Sequence, residues 1–263
     1  MSDAQFIRYE GVERSVARVV LARPDKRNAQ NKAMLYELND ALDRACQDDE
    51  CKVIVVAADG PDFSSGHDLK DREPISQTPV GTWGGFRQPG IEGHWSYEEE
   101  VYLGFCWRWR NIPKPTMVQV QGRVIAGGLM LVWPFDLVIA SEDARFSDPV
   151  VAFGVNGVEY FAHPWEVGVR KAKEMLFTGE AITAEEAKTL GMVNHVVPIS
   201  DLTNFTMNMA THIARQPLLA LKLAKQSVNQ MQDGQGIWTS LQAAMSLQHM
   251  GHAHERLLHQ TMV

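Results

Sequence analysis

The sequence predicts an α/β fold in which a mostly parallel sheet is followed by a helical C-terminal region. Buried-type strands alternate with helices in the first part of the chain, an order typical of parallel sheets covered on both faces. Beyond Thr183, apolar residues recur at helical spacing and strand patterns are few. With 263 residues, 45% of them hydrophobic, the chain is near the upper size of a single core. We therefore predict a core over residues 1–198 and a helical appendage over residues 199–263.

Strand and helix patterns follow one another in a clear order. Runs of β-branched residues predict strands over residues 6–10, 16–22 and 53–58. Between the last two, apolar residues at three- and four-residue spacing predict a helix over residues 31–48. A polar, glycine-rich stretch to about Gly93 predicts a loop. After it, the patterns predict a helix over 97–109, strands over 116–120 and 136–140, and helices over 184–190, 202–215, 218–231 and 237–258.

Composition argues against several classes of function. The 25 basic and 32 acidic residues give a net charge of −7, and general nucleic-acid binding needs a basic surface instead. The three cysteines, Cys46, Cys51 and Cys106, indicate neither a disulfide framework nor a zinc knuckle. No segment is long and apolar enough for a membrane span, and no signal peptide is visible. These observations predict a cytoplasmic protein that binds neither nucleic acid nor membrane.

Two glycine-containing segments, each directly after a predicted strand, are candidate ligand-binding loops. The first is FSSGHDL, residues 63–69, and the second is GRVIAGGLML, residues 122–131. Small residues after a strand let backbone amides approach a ligand, and two amides that converge on one oxygen would form an oxyanion hole. The alternative is that these glycines only permit tight turns and close packing.

These two segments and several further blocks, in order along nearly the whole chain, resemble the crotonase (enoyl-CoA hydratase/isomerase) superfamily. The resemblance implies a crotonase-like spiral of repeated ββα turns with a C-terminal helical trimerisation region. It also implies self-association as a homotrimer or a dimer of trimers. The implied function is chemistry on an acyl-CoA substrate through a stabilised thioester enolate. The further blocks are RPDKRNA at 23–29, KPT at 114–116, DLVIA at 136–140 with Phe146, and residues 177–194.

The resemblance also implies roles for individual residues. The backbone amides of His67 and Gly127 would polarise the thioester carbonyl and stabilise the enolate oxygen. Coenzyme A would enter as part of the substrate, with no permanently bound cofactor. A local basic patch would meet its phosphates despite the acidic net charge. The positions implied for coenzyme A binding are Arg23, Lys26, Ala29, Ser65, Gly66, Asp68, Leu69 and Lys70.

The sequence departs from the family at the two glutamates that hydratases use to add water. Counting from the motifs, these positions hold Met130 and Val150, neither of which can transfer a proton. A general acid or base contributes about 10² to 10⁴ in rate, so we do not expect classical hydration. We expect a different lyase, isomerase, decarboxylase or hydrolase step in fatty acid or lipid metabolism. The alternative is a non-catalytic acyl-CoA-binding or scaffolding paralogue.

Glu159 and His94 are the candidates to replace the missing glutamates. Glu159 follows close to positions where family members with other chemistry keep an aspartate; the alternative is a surface or helix-capping carboxylate. His94 lies in the loop that roofs the acyl pocket in the family, and an imidazole suits proton transfer near neutrality. The alternative for His94 is a solvated loop histidine. Trp83 and Trp95 could line the acyl site.

Histidines near the C-terminus raise the question of a metal site. Their spacing is irregular, and no set of carboxylates or thiols accompanies them in the sequence. We therefore expect no metal. The histidines concerned are His249, His252, His254 and His259.

Overall fold

A computed structural model describes residues 5–71, 79–81 and 84–259 of the chain. Trp83 lies outside these residues. Within them, a six-stranded sheet has the order β1-β2-β3-β4-β6-β9, and a three-stranded sheet has the order β5-β7-β8. The strands are β1 (Ile7–Glu13), β2 (Val16–Leu21), β3 (Val53–Ala58), β4 (Thr116–Val120), β5 (Arg123–Ile125), β6 (Leu137–Ser141), β7 (Arg145–Ser147), β8 (Ile182–Thr183) and β9 (His195–Val197).

Helices cover the large sheet and form the C-terminal part of the described chain. A π-helical segment, Glu99–Gly104, joins α2 to α3 without a break. The helices are α1 (Lys32–Gln47), α2 (Ile91–Glu98), α3 (Phe105–Arg110), α4 (His163–Glu166), α5 (Val169–Thr178), α6 (Ala184–Leu190), α7 (Leu202–Ala214), α8 (Leu218–Gly234) and α9 (Ile237–His259).

The large sheet confirms the predicted mixed α/β class. Strands β1 and β2 pair antiparallel, and every later pairing in this sheet is parallel. All six residues of β3 are buried, which a parallel strand covered on both faces requires. Ile54 and Val56 face the main core beneath α1, whereas Val53 and Val55 face a second cluster beneath α7. One layer of helices therefore lies on each side of the sheet.

The prediction of a loop to about Gly93 and a helix from residue 97 is wrong at the boundary between them. Residues 91–98 form α2, so the helix starts about six residues earlier than its sequence pattern suggests. Gly90 at its N-terminus and Gly93 inside it disguise the start, because glycine disfavours helices. A Cβ on Gly93 would come within 2.0 Å of the Gln88 carbonyl oxygen. Glycine is needed here because the preceding turn packs directly on the helix.

The C-terminal helices differ in what they contact. Helix α7 packs on the large sheet through residues such as Leu202 and Ala210. Helix α8 has no buried residue. Helix α9 packs beside α2 and buries the side chains of Gln248, His249 and His252. The C-terminal region thus completes the surroundings of α2 as well as covering the sheet.

No helix among the described ranges is long and apolar enough to cross a membrane. All three cysteines are free thiols, and Cys51 and Cys106 are buried.

Asn28 fixes the loop that leads from β2 to α1. Its backbone φ is +51°, and asparagine tolerates this left-handed conformation better than most residues. Its side chain accepts from the Arg23 amide at 2.9 Å and donates to the carbonyl oxygens of Asp59 and Asp62 at 2.9 and 3.1 Å. The loop is thereby attached to the segment that follows β3.

Candidate active site

The two loops predicted to bind ligand lie side by side. Ser64 donates its amide to the Arg123 carbonyl at 3.2 Å, and Ile125 donates to the Ser64 carbonyl at 3.1 Å. These bonds form a short parallel bridge between the segment after β3 and strand β5. Gly66 has φ +90°, and a Cβ there would lie 2.8 Å from the Ile125 carbonyl oxygen and 3.3 Å from the Gly127 nitrogen. Only glycine allows the loops this close approach.

Gln30 connects both loops through its backbone and its side chain. Its amide donates to the Gly66 carbonyl, and its carbonyl accepts from the Asp68 amide, both at 2.8 Å. This bridge does not use the amide of His67, which lies between them. The Gln30 side-chain nitrogen donates to the Gly127 carbonyl at 2.6 Å. Gly127 lies in the first turn of a short 3₁₀ helix, Ala126–Leu131, where amides have no acceptor within the helix.

The imidazole of His67 lies directly over Gly127. A Cβ on Gly127 would come within 2.6 Å of the ring's Cε1 and 2.8 Å of its Nδ1. His67 Nε2 lies 3.1 Å from Oε2 of Glu159, and the ring stacks on Tyr102 with centroids 4.0 Å apart. The other Glu159 oxygen accepts from the Gln248 side chain at 2.8 Å. Residues far apart in sequence therefore form a His67–Glu159 pair beside the amide of Gly127.

A second buried pair holds the segment that carries Glu159. Asp148 and His163 are fully buried, with Oδ2 2.8 Å from Nε2. The same carboxylate oxygen accepts from the Val158 amide at 3.0 Å. Because Val158 precedes Glu159, this bond fixes the backbone from which the Glu159 side chain departs. Glu159 is 4% exposed, so the interpretation of Glu159 as a surface carboxylate is wrong.

The surroundings of the His67–Glu159 pair favour its charged form. Burial lowers the pKa of His67, but the carboxylate of Glu159 outweighs this effect and the net pKa is raised. Burial likewise raises the pKa of Glu159, and the adjacent imidazole reverses this to a net lowering. The carboxylate of Glu159 thus favours the protonated form of the imidazole beside the glycine loops.

His94 belongs to a separate cluster near this pair. It lies in α2, where its Nε2 is 2.6 Å from Oε1 of Glu98, so the expectation of a solvated loop histidine is wrong. His249 and His252 of α9 approach the same carboxylate at 3.3 and 3.8 Å. Trp95 stacks on His249. The argument that the C-terminal histidines lack a partner carboxylate is therefore also wrong, whereas His254 and His259 are exposed.

Comparison with protein families places the chain in a known group. The family described as enoyl-CoA hydratase/isomerase matches residues 11–259. The chain belongs to this family. EchA13 of Mycobacterium tuberculosis, which carries an enoyl-CoA hydratase name, is 42% identical over 95% of this chain and 81% of its own. The 2,3-dehydroadipyl-CoA hydratase of Escherichia coli is 30% identical over 84% of this chain and 81% of its own.

A solved structure shows the same fold. The crystal structure of a probable enoyl-CoA hydratase from Mycobacterium smegmatis is 45% identical and superimposes with a TM-score of 0.89 over 96% of each chain. The resemblance to the crotonase superfamily is thus confirmed, together with its mixed α/β fold.

The positions that the resemblance assigns to the two hydratase glutamates hold no acid or base in this member of the enoyl-CoA hydratase/isomerase family. Met130 is 2% exposed and packs in the main core. Val150 is half-buried against the same core. Among the described residues, the carboxylate that contacts His67 comes from Glu159.

The residues implied for coenzyme A binding surround the first loop, and their role stays a prediction. Arg23 donates to the Ala29 carbonyl at 2.8 Å and pairs with Asp68 at 2.7 Å. The Ser65 amide donates to the Arg27 carbonyl at 3.0 Å. Arg23 and Asp68 thus form an ion pair that holds the loop. The exposed positions are Lys26, Leu69 and Lys70.

Sequence reasoning did not identify Tyr102, Gln248 or Glu98 as site residues. Tyr102 and Gln248 contact the His67–Glu159 pair from elements far away in the chain, so no local pattern marks them. Glu98 follows His94 by four residues, a spacing that places both side chains on one helix face. That spacing was a usable signal, but it required the start of α2 to be recognised.

The pKa directions predict how the stability contributed by the pair depends on pH. His67 has a raised pKa when folded, so its contribution is complete below the ordinary value of 6.5 and is lost as pH rises through the folded value. Glu159 has a lowered pKa, so its contribution is present above 4.5 and lost below. We expect the difference in unfolding free energy between wild type and Glu159→Gln to be largest between these values. This difference should fall by up to about 1.4 kcal/mol per pH unit as pH rises above 6.5 through the folded pKa of His67.

Urea unfolding at several pH values measures this difference. Glu100→Gln is a matched control, because Glu100 is also buried but bonds to the Tyr36 hydroxyl, whose pKa is raised and does not titrate in this range. A difference for Glu159→Gln that stays constant from pH 5 to pH 9 would contradict the assigned pair.

Proposed function

We propose that this protein is an acyl-CoA enzyme in which the His67–Glu159 pair transfers the proton and the amides of His67 and Gly127 stabilise a thioester enolate. The observation that carries the proposal is the His67 imidazole, which lies over Gly127 and 3.1 Å from the buried Glu159 carboxylate. One residue would thus supply both an oxyanion donor, through its amide, and a proton-transfer group, through its ring.

The proposed step uses the neutral imidazole as a base. The bond between the α-carbon and its hydrogen breaks, the electron pair moves towards the thioester carbonyl oxygen, and a new N–H bond forms on His67. The enolate oxygen then accepts from the two amides, where preformed dipoles act without reorganisation. Glu159 stabilises the imidazolium that results. Return of the proton to carbon completes an exchange, and return at another carbon completes an isomerisation.

The nucleotide end of coenzyme A would lie at the rim of the first loop. Lys26, Arg27 and Lys70 are exposed cations there, and Leu69 beside them is 61% exposed. An apolar side chain flanked by cations suits an adenine ring with attached phosphates. Classical hydration is not proposed, because Met130 and Val150 offer no second carboxylate to activate water.

Exchange of α-hydrogens in D₂O tests the proton transfer without knowledge of the final product. The panel of acyl-CoA compounds includes butyryl-CoA and phenylacetyl-CoA, and mass spectrometry measures their deuterium content. We expect wild-type protein to incorporate deuterium into at least one of them. The rate should rise with pH through the raised pKa of His67, because only the neutral ring accepts a proton. His67→Ala and Glu159→Gln should each lower it by about 10² to 10⁴.

The variants separate the two roles of His67. His67→Ala keeps the backbone amide, so binding of the thioester should persist while exchange is lost. Glu100→Gln serves as a control, since it removes a buried carboxylate that has other partners. If Glu159→Gln exchanges at the wild-type rate, the pair is not the proton-transfer group.

A non-catalytic acyl-CoA-binding or scaffolding protein is the second candidate, favoured by the loss of both family glutamates. The two candidate functions differ in one result. For a non-catalytic protein, calorimetry would show binding of acyl-CoA, but no acyl-CoA of the panel would exchange its α-hydrogens. Absence of any binding would exclude both functions.

We also propose that the chain assembles into a homotrimer, or a dimer of trimers, through α8. This helix buries none of its residues within one chain, and its exposed apolar side chains include Leu219, Leu223, Val228 and Met231, all more than half exposed. A cavity of about 530 Å³ lies between α8 and the start of β6. Apolar surface of this extent is normally covered by a partner.

The free thiols and the proposed substrate together favour a cytoplasmic location.

The double variant Leu219→Glu/Leu223→Glu tests the assembly. Each leucine contributes roughly 1.5 to 3 kcal/mol when fully buried, so we expect dissociation to become at least about 100-fold easier. Light scattering after size-exclusion chromatography should show a shift towards the mass of one chain. Gln47→Glu/Asn204→Glu adds the same charge at exposed polar sites and should leave the mass unchanged. A wild-type protein of monomeric mass would refute the assembly.

A further inference from the structure

A cluster of titratable groups outside the His67–Glu159 pair joins α2 to α9. Nε2 of His94 and a carboxylate oxygen of Glu98 are 2.6 Å apart on α2. His252 of α9 brings its Nε2 to 3.8 Å from the same oxygen. One ligand atom from each of these three residues lies within 4.8 Å of the others. Distances of this size are compatible with three ligands around one small cation.

The cluster contains buried polar atoms without hydrogen-bond partners. Glu98 and His249 are each 4% exposed, and His252 is 8% exposed. Within the described part of the chain, the atoms that lack partners include both ring nitrogens of His249 and His252, Nδ1 of His94 and Oε2 of Glu98. His249 Nε2 is 3.3 Å from Glu98 but too poorly aligned for a hydrogen bond. Native proteins leave few such atoms unpaired, and each one needs an explanation.

The protonation states of the cluster suit a cation. Burial lowers the pKa of His249 to about 4, helped by the charge of His94. Burial also lowers the pKa of His252. Burial thus favours the neutral form of both rings, in which a ring nitrogen has a free lone pair. Burial lowers the pKa of His94, but Glu98 raises it overall, so a metal ion would take the place of that proton.

We propose that His94, Glu98 and His252 bind one divalent transition-metal ion of the zinc class. Imidazole nitrogens with one carboxylate are the ligands such ions prefer, whereas Mg²⁺ and Ca²⁺ require mostly oxygen ligands. Three protein ligands leave a fourth tetrahedral position, and His249 Nε2 lies 3.3 Å from the other Glu98 oxygen. The ion would link α2 to α9 beside the His67–Glu159 pair.

Charge around the cluster is consistent with this assignment. Glu98 supplies one negative charge, and Glu159 is close enough to influence both His94 and His252. Arg256 acts in the opposite direction on His94. Because Glu159 is already paired with His67, the negative charge available to a dication at this cluster is that of Glu98.

Titration of metal-free protein with Co²⁺ tests the site independently of enzymatic activity. We expect one ion per chain, with the visible absorption of four-coordinate Co²⁺, and displacement by Zn²⁺ but not by Mg²⁺ or Ca²⁺. His252→Ala and Glu98→Gln should each weaken binding by at least about tenfold. His254→Ala is the matched control, because His254 lies on the same helix but is exposed, and it should bind as wild type does.

The results that would overturn the proposal are specific. They are no saturable binding by wild type, or binding that survives in both His252→Ala and Glu98→Gln. Far-ultraviolet circular dichroism of each variant shows that a loss of binding is not a loss of fold. A metal-binding failure would leave the acyl-CoA function untouched, because the exchange assay uses His67 and Glu159 alone.

Discussion

A buried carboxylate beside the glycine loops is the constraint on which the site depends. Glu159 is almost fully buried, and an ionised carboxylate in such a position must be paired or lose its charge. His67 supplies the pairing cation, and Gln248 satisfies the second oxygen. Gly127 must lack a Cβ because the His67 ring occupies that space. The Asp148–His163 pair holds the backbone next to Glu159, and the Tyr102 ring stacks on His67. Both contacts keep His67 and Glu159 in place.

The longer strands and helices can be predicted from patterns within short stretches of sequence. Runs of β-branched residues predict β2 and β3, and apolar residues at helical spacing predict α1, because burial leaves a trace within each short stretch. The start of α2 leaves no such trace, since Gly90 and Gly93 serve the packing of the preceding turn. Strands such as β5 and β7 have three residues each, too few for a period to be recognised.

The residues of the site that the sequence itself predicts are those required by the backbone geometry of the loops. Gly66 and Gly127 are identifiable because close approach of two loops demands glycine. The contact between His67 and Glu159 spans 92 positions, so no sequence spacing indicates it. The same holds for the approach of His252 on α9 to α2, whereas the four-residue spacing of His94 and Glu98 indicates that those two side chains share a helix face. Family resemblance predicts the oxyanion amides, but it directed attention to Met130 and Val150, where this chain carries no proton-transfer group.

Chemical rescue by imidazole tests the proton-transfer role of His67 most directly. Deletion of the ring in His67→Ala leaves the amide, the two glycine-containing loops and Glu159 in place, together with a space of imidazole size. We predict that added imidazole restores α-hydrogen exchange in His67→Ala, in proportion to the neutral imidazole present, and does not restore it in Glu159→Gln. Exchange in His67→Ala that equals the wild-type rate without imidazole would contradict the account.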